Sequence, residues 1–129
     1  MKRGEVYLVN PQPAKGVELA RIRPGVIVST QAVIDQADLP VAVMFGSGAE
    51  HYSALNELLV KVDARAGHFR KDTVFSALQV KACDRVRFLD PKSGEAKYLS
   101  TLDTATMKLV DRALMFAFGL DAFLPLHED

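Results

Sequence analysis

The sequence predicts an α+β fold: a small antiparallel β-barrel or sheet closed by one C-terminal helix. Two observations carry this. Short runs of β-branched and aromatic residues, separated by Gly- and Pro-containing turns, recur as far as residue 89, and beyond residue 100 the apolar period changes to three and four. The chain has 129 residues, of which 49% are hydrophobic, enough to build one core, and we read residues 1–129 as a single domain.

The first strand is expected over residues 5–10, where Val6, Tyr7, Leu8 and Val9 are strong β-formers. Pro11, Pro13 and Gly16 then punctuate a loop over residues 11–22, long for so small a domain and for that reason a candidate functional segment. Pro24 opens Gly25-Val26-Ile27-Val28-Ser29, which suits a central strand with proline at its first position. A short helix or turn is expected over residues 30–38. A strand follows over 41–45, stopped by Gly46-Ser47-Gly48, and another over 58–62. Residues 73–81 alternate as a longer strand, and residues 84–89 continue β-like to the turn Pro91-Lys92-Ser93-Gly94, giving five to seven strands in all. Met107, Val110, Leu114 and Phe118 mark the helix, with Asp103 as its N-cap and Gly119 as its stop.

Composition narrows the function classes. Sixteen basic and sixteen acidic residues cancel, unlike the strongly basic profile of tight, non-specific nucleic-acid binders. Residues 2–23 nevertheless hold Lys2, Arg3, Lys15, Arg21 and Arg23 against Glu5 and Glu18, a local basic surface. No stretch reads as a signal peptide or membrane span, so a cytoplasmic protein is expected. Cys83 is the only cysteine, and His51, His68 and His127 are dispersed, so no metal site and no cofactor is expected. The motifs of zinc peptidases, P-loop enzymes and GxSxG hydrolases are absent.

What remains is the loop carrying Lys15, Gly16, Glu18, Arg21 and Arg23. An arginine at the first position of a strand has its backbone fixed by the sheet, and its planar fork suits a phosphate. Two readings of Arg23 follow from spacing alone: an oxyanion clamp, or a barrel cap paired with a carboxylate such as Glu18.

Read together, these residues form a pattern. The segment RGEVYLVNPQPAKGVELARIRPGVIVS, residues 3–29, resembles the N-terminal signature of the MazF/PemK (Kid-like) toxins, with Gly4, Val9, Pro13, Gly16, Glu18, Arg23, Pro24 and Ser29 in register. Residues 72–88 resemble the family's later strand pair through Asp72, Gln79, Lys81, Asp84 and Arg87, and the last helix matches through Leu102, Asp103, Met107 and Val110. The resemblance implies an SH3-like barrel and a homodimer acting on single-stranded RNA. It also implies a cognate acidic antitoxin as partner, contact with DNA only through that antitoxin, and no membrane association.

It further implies metal-independent endoribonuclease chemistry, the 2'-hydroxyl attacking its own phosphate to leave a 2',3'-cyclic phosphate and a 5'-hydroxyl. By position, Arg23 is the principal catalytic residue, Glu18 the base or the residue orienting Arg23, and Ser47 a hydroxyl at the scissile phosphate or an ordinary turn residue. Lys15, Gly16 and Arg21 are the RNA-binding candidates, and Tyr52 and Phe69 candidate base-stacking residues. Two departures stand out. The aspartate that some members use as base, and an arginine two residues before it, are replaced by Leu78 and Ser76. The hydroxyl-rich strand end is reduced to Gly46-Ser47-Gly48. These departures keep open a degenerate barrel that binds antitoxin or RNA without turnover. A gyrase-poison toxin on the same barrel is the other alternative, suggested by the apolar stretch over residues 115–120.

Overall fold

The computed structural model describes residues 1–11, 22–48 and 56–123. Lys15, Gly16, Glu18, Arg21, His51, Tyr52 and His127 lie outside them. Six strands, β1 (Glu5–Val9), β2 (Arg23–Ile27), β3 (Val41–Gly48), β4 (Leu59–Val62), β5 (Thr73–Cys83) and β6 (Lys97–Thr101), form one antiparallel sheet in the order β4-β5-β3-β2-β1-β6. Three helices accompany them: α1 (Gln31–Ile34), α2 (Ala64–Gly67) and the long α3 (Thr104–Ala117). The sheet curls as a half-barrel, and α3 packs on one side of it.

Alternation along the strands divides the interior in two. Val6, Val26, Met44, Val60 and Phe75 pack with Val110 and Ala113 of α3, while Tyr7, Val9, Ile27, Val43 and Phe45 pack on the other face with Ile34 and Phe88. β2 is central, as its run of buried Gly25, Val26 and Ile27 requires. Pro24 is its second residue. Val28 N–H donates to Ala42 O, so even-numbered positions of β2 point their amides toward β3. Pro24 falls beyond the last β2–β3 pair, Gly25 with Phe45, where a missing donor leaves no ladder bond unmade.

Asp103 accepts from Thr106 N–H at 2.7 Å as the N-cap of α3. The C-terminus closes with Leu120 N–H on Met115 O and Gly119 N–H on Phe116 O, a Schellman arrangement with Gly119 at φ 72°. Leu114, Phe116 and Ala117 pack against the core, whereas Phe118 and Leu120 are exposed, so core packing accounts for only the first part of the apolar stretch.

Three expectations are corrected. Residues 84–89 are not a strand: Arg85–Phe88 is a 3-10 turn. Val86 and Phe88 share the period of a strand, but only Phe88 is buried, edge-on to Tyr7 at 5.6 Å, while Val86 faces solvent. The turn is set by Arg85, which donates to the carbonyls of Ile34, Gln36 and Leu39 at 2.8–2.9 Å. Secondly, Gly46-Ser47-Gly48 does not stop the third strand. These residues extend β3 and pair with Phe75, Val74 and Thr73. Gly46 is required by packing, since a Cβ there would stand 2.5 Å from Thr73 Cγ2 and 3.0 Å from the Phe75 ring. Thirdly, the strand Lys97–Thr101 was not among those expected.

Candidate functional site

The β2–β3 register, Ile27 with Val43, ends at Gly25 with Phe45, and Arg23 and Ser47 stand two residues beyond that last pair on their strands. Arg23 itself pairs with Val9, and Val9, Gly25, Ile27 and Phe45 lie on one face of the sheet. Arg23 and Ser47 therefore share that face at one end of two neighbouring strands. This removes the plain-turn reading of Ser47, which stands inside β3 opposite Val74. Close approach of the strands depends on Gly25, where a Cβ would meet Val43 Cγ1 at 2.4 Å.

Arg23 is half-buried and has no hydrogen-bond or ion-pair partner among the described residues. Two arginines at the opposite end of the sheet, Arg3 and Arg85, behave differently. Besides Arg85, Arg3 donates to Val28 O at 3.0 Å and to Asp111 Oδ1 at 2.7 Å.

Between Met44 and Gly46 the β3 register on β5 jumps from Val80 to Phe75, so residues 76–79 of β5 stand opposite Phe45 alone. The jump places Leu78 in a bulge, 62% exposed, with Gln79 exposed beside it. Buried Ser76 turns its hydroxyl onto Leu78 N–H at 3.1 Å, capping an amide that the bulge releases from the ladder. Ser76 is committed to the backbone. Phe69, a stacking candidate from sequence, instead packs its ring 6.0 Å from that of Phe75 and belongs to the core.

Two other groups with nucleophilic or acid–base chemistry are disarmed. Burial, then the hydrogen bond to Glu5, pushes the Tyr7 phenol up to about 12, so it stays protonated at neutral pH. Burial likewise pushes the Cys83 thiol up, against the pull of Lys81 and Arg87. Among the described residues no three His, Cys, Asp or Glu side chains gather as a metal site. No described helix is long and apolar enough to cross a membrane. Clefts of about 410 Å³ and 500 Å³ lie at the β1–β6 end and between β4 and α3, and neither is lined by Arg23 or Ser47.

Residues 2–118 match the family model of the PemK-like, MazF-like toxins of type II toxin-antitoxin systems. The chain belongs to this family. Among the curated relatives of this PemK/MazF chain is Endoribonuclease EndoA of Bacillus subtilis (strain 168), 28% identical over 123 residues, covering 95% of this chain and 98% of the relative. Endoribonuclease MazF of Staphylococcus epidermidis is 25% identical over 95% of each chain. The same fold occurs in solved structures. A mycobacterial endoribonuclease in complex with its cognate antitoxin superposes with a TM-score of 0.66 at 19% identity, over 93% of this chain and 96% of that one. MazF from Deinococcus radiodurans gives 0.64 at 18% identity, over 92% and 96%.

Proposed function

We propose that this chain is the endoribonuclease toxin of a type II toxin-antitoxin pair, cutting single-stranded RNA at the rim formed by Arg23 and Ser47. The observation that carries the reading is the Arg23 guanidinium, without a partner among the described residues and set at a strand start on the same face as the Ser47 hydroxyl. Both curated relatives are named endoribonucleases, which supports the reaction class.

The chemistry proposed is transesterification without metal. The 2'-oxygen attacks phosphorus and gives up its proton to a base, the bond from phosphorus to the 5'-oxygen breaks, and that oxygen takes a proton. A 2',3'-cyclic phosphate and a 5'-hydroxyl result. Arg23 neutralises the charge that gathers on the pentacoordinate phosphorus, where two N–H donors of a planar fork are well matched to phosphate oxygens. Its guanidinium, always charged, acts by position rather than by proton transfer. Ser47 donates its hydroxyl to a phosphate oxygen. Glu18 supplies the base or orients Arg23, and Lys15, Gly16 and Arg21 hold the strand, as the resemblance of the first loop implies. The proposed assembly is a cytoplasmic homodimer neutralised by an acidic antitoxin. A structural neighbour solved with its cognate antitoxin supports that partner.

Mixed-sequence RNA incubated with antitoxin-free protein in EDTA tests this. Cleavage products ending in cyclic phosphate are expected, and Arg23→Ala should lower the rate by about 10²–10³-fold, the usual loss for one transition-state donor. Intact RNA under all conditions would overturn it. A second reading, binding without turnover, is favoured by one observation: exposed Leu78 occupies the bulged β5 position at which, by the resemblance, some members of the family carry an aspartate base. A tight RNA or acidic-peptide complex with no cleavage would select it.

A further inference from the structure

The unpaired basic character of the Arg23 rim continues along the same end of the sheet. Ser47 pairs with Val74 of β5, and Val74 pairs with Lys61 of β4. Arg23, Ser47, Val74 and Lys61 thus form one row across four strands, on one face. Three strand spacings set Lys61 about 14 Å from Arg23. Immediately beyond Lys61 the β4–β5 connection carries Arg65, His68, Arg70 and Lys71.

The backbone of this connection is braced. Its two carboxylates, both exposed, bond backbone amides: Asp63 accepts from Ala66 N–H and Asp72 from Ala64 N–H, each at 2.8 Å. Phe69 anchors it against Phe75, and Gly67 is required beneath that ring, since a Cβ would stand 2.0 Å from Phe69 Cε2. His68 holds φ 57°, the only positive φ outside glycine among the described residues. Lys61, Arg65, His68 and Arg70 are exposed and pair with no carboxylate among the described residues. In a chain with no net charge, residues 61–72 hold four cations, Lys61, Arg65, Arg70 and Lys71, against the two carboxylates Asp63 and Asp72, a local excess of positive charge.

We infer that Lys61, Arg65 and Arg70 form an exosite for the phosphates of single-stranded RNA a few nucleotides from the cut, at and beyond the β4 end of the row that begins at Arg23. The inference rests on the RNA-cutting reading for its ligand. It assigns to the exosite affinity and salt dependence, not chemistry. Single-strand-binding surfaces of this size track about 4–16 nucleotides, so a short RNA that fills the Arg23 rim leaves the exosite empty while a longer one reaches it.

The test uses fluorescein-labelled 2'-O-methyl oligonucleotides of mixed sequence, which lack the attacking hydroxyl, in four- and twelve-nucleotide lengths. Affinity is followed by anisotropy across a salt series. The triple variant K61A/R65A/R70A should bind the twelve-mer about tenfold more weakly. It should also flatten the log–log salt slope by about 2, since each lost phosphate contact on a single strand removes about 0.7. The four-mer should lose much less. The double variant K92A/K108A, which removes exposed charge elsewhere, should stay within twofold of wild type on both lengths, and R65Q/R70Q repeats the measurement with β4 untouched. Unchanged twelve-mer binding, equal losses on both lengths, or an equal loss in K92A/K108A overturns the exosite. If the variants behave as expected while wild type cuts no RNA, catalysis fails and the exosite stands. If cleavage needs Arg23 but the triple variant binds as wild type, only the exosite fails. If wild type binds no twelve-mer, both fail.

Discussion

The two ends of the sheet use arginine in opposite ways. At the end where β2 leaves and β3 and β1 begin, Arg85 closes on three backbone carbonyls and Arg3 joins Val28 to Asp111 of α3. At the other end Arg23 bonds to nothing among the described residues, and Lys61, Arg65 and Arg70 beyond it are equally unpaired. A guanidinium satisfied by carbonyls stabilises a fold and has no donors left for a ligand. One left open contributes little to stability and keeps its donors for phosphate. The residue type is the same at both ends, and only the accounting of its hydrogen bonds among the described residues differs.

Substitutions can break this contrast. The largest effect belongs to Arg23: its change to alanine should cost the orders of magnitude in cleavage stated above while moving the denaturation midpoint little, as expected of a side chain without a partner among the described residues. Arg85→Ala should do the reverse. Loss of three charge-assisted bonds to carbonyls should lower unfolding free energy by about 1–3 kcal/mol in urea, with cleavage per folded molecule retained. A smaller effect is expected for the Arg3–Asp111 pair, part-exposed on both sides. A double-mutant cycle on it should return a coupling of about 0.2–1 kcal/mol, and a larger value would show that α3 hangs on this bridge more than on its apolar face.

The smallest effect is a pH dependence. The Thr106 amide holds the Asp103 carboxyl below the usual carboxylate range, so the folded-state value is depressed. Its contribution is therefore present above the unfolded-state value and lost as pH falls through the folded one. Thermal melts of wild type and Asp103→Ala should differ at neutral pH and converge in acid. A gap that persists at the lowest pH would mean that the cap acts through something other than its charge.

Much of the fold was legible because its signals are local. The N-cap Asp103, the terminating Gly119 and the three-and-four spacing of Met107, Val110 and Leu114 specify α3 within a short window. The strands β1, β2 and β3 were legible because their apolar runs are buried. What failed depends on distant partners. The turn Arg85–Phe88 looks like a strand until Arg85 meets carbonyls from residues 34, 36 and 39. Gly46 and Gly48 look like a turn until Thr73 and Phe75 are seen against them. Edge strand β6, with most of its side chains exposed, carries almost no hydrophobic signal to read. Of the site, Arg23 was visible through its pattern with Gly16 and Glu18. Its row with Ser47, Val74 and Lys61 was not, because register across four strands is a property of pairing and not of spacing.

The seclusion of Cys83 has a practical meaning for work on that row. The chain's single sulfhydryl lies in the core and resists ionisation, so a maleimide or spin-label reagent meets almost no native background. A cysteine introduced by Lys61→Cys or Arg70→Cys can therefore be labelled alone in the otherwise unaltered chain. A probe there would report directly whether a nucleic acid strand passes over it.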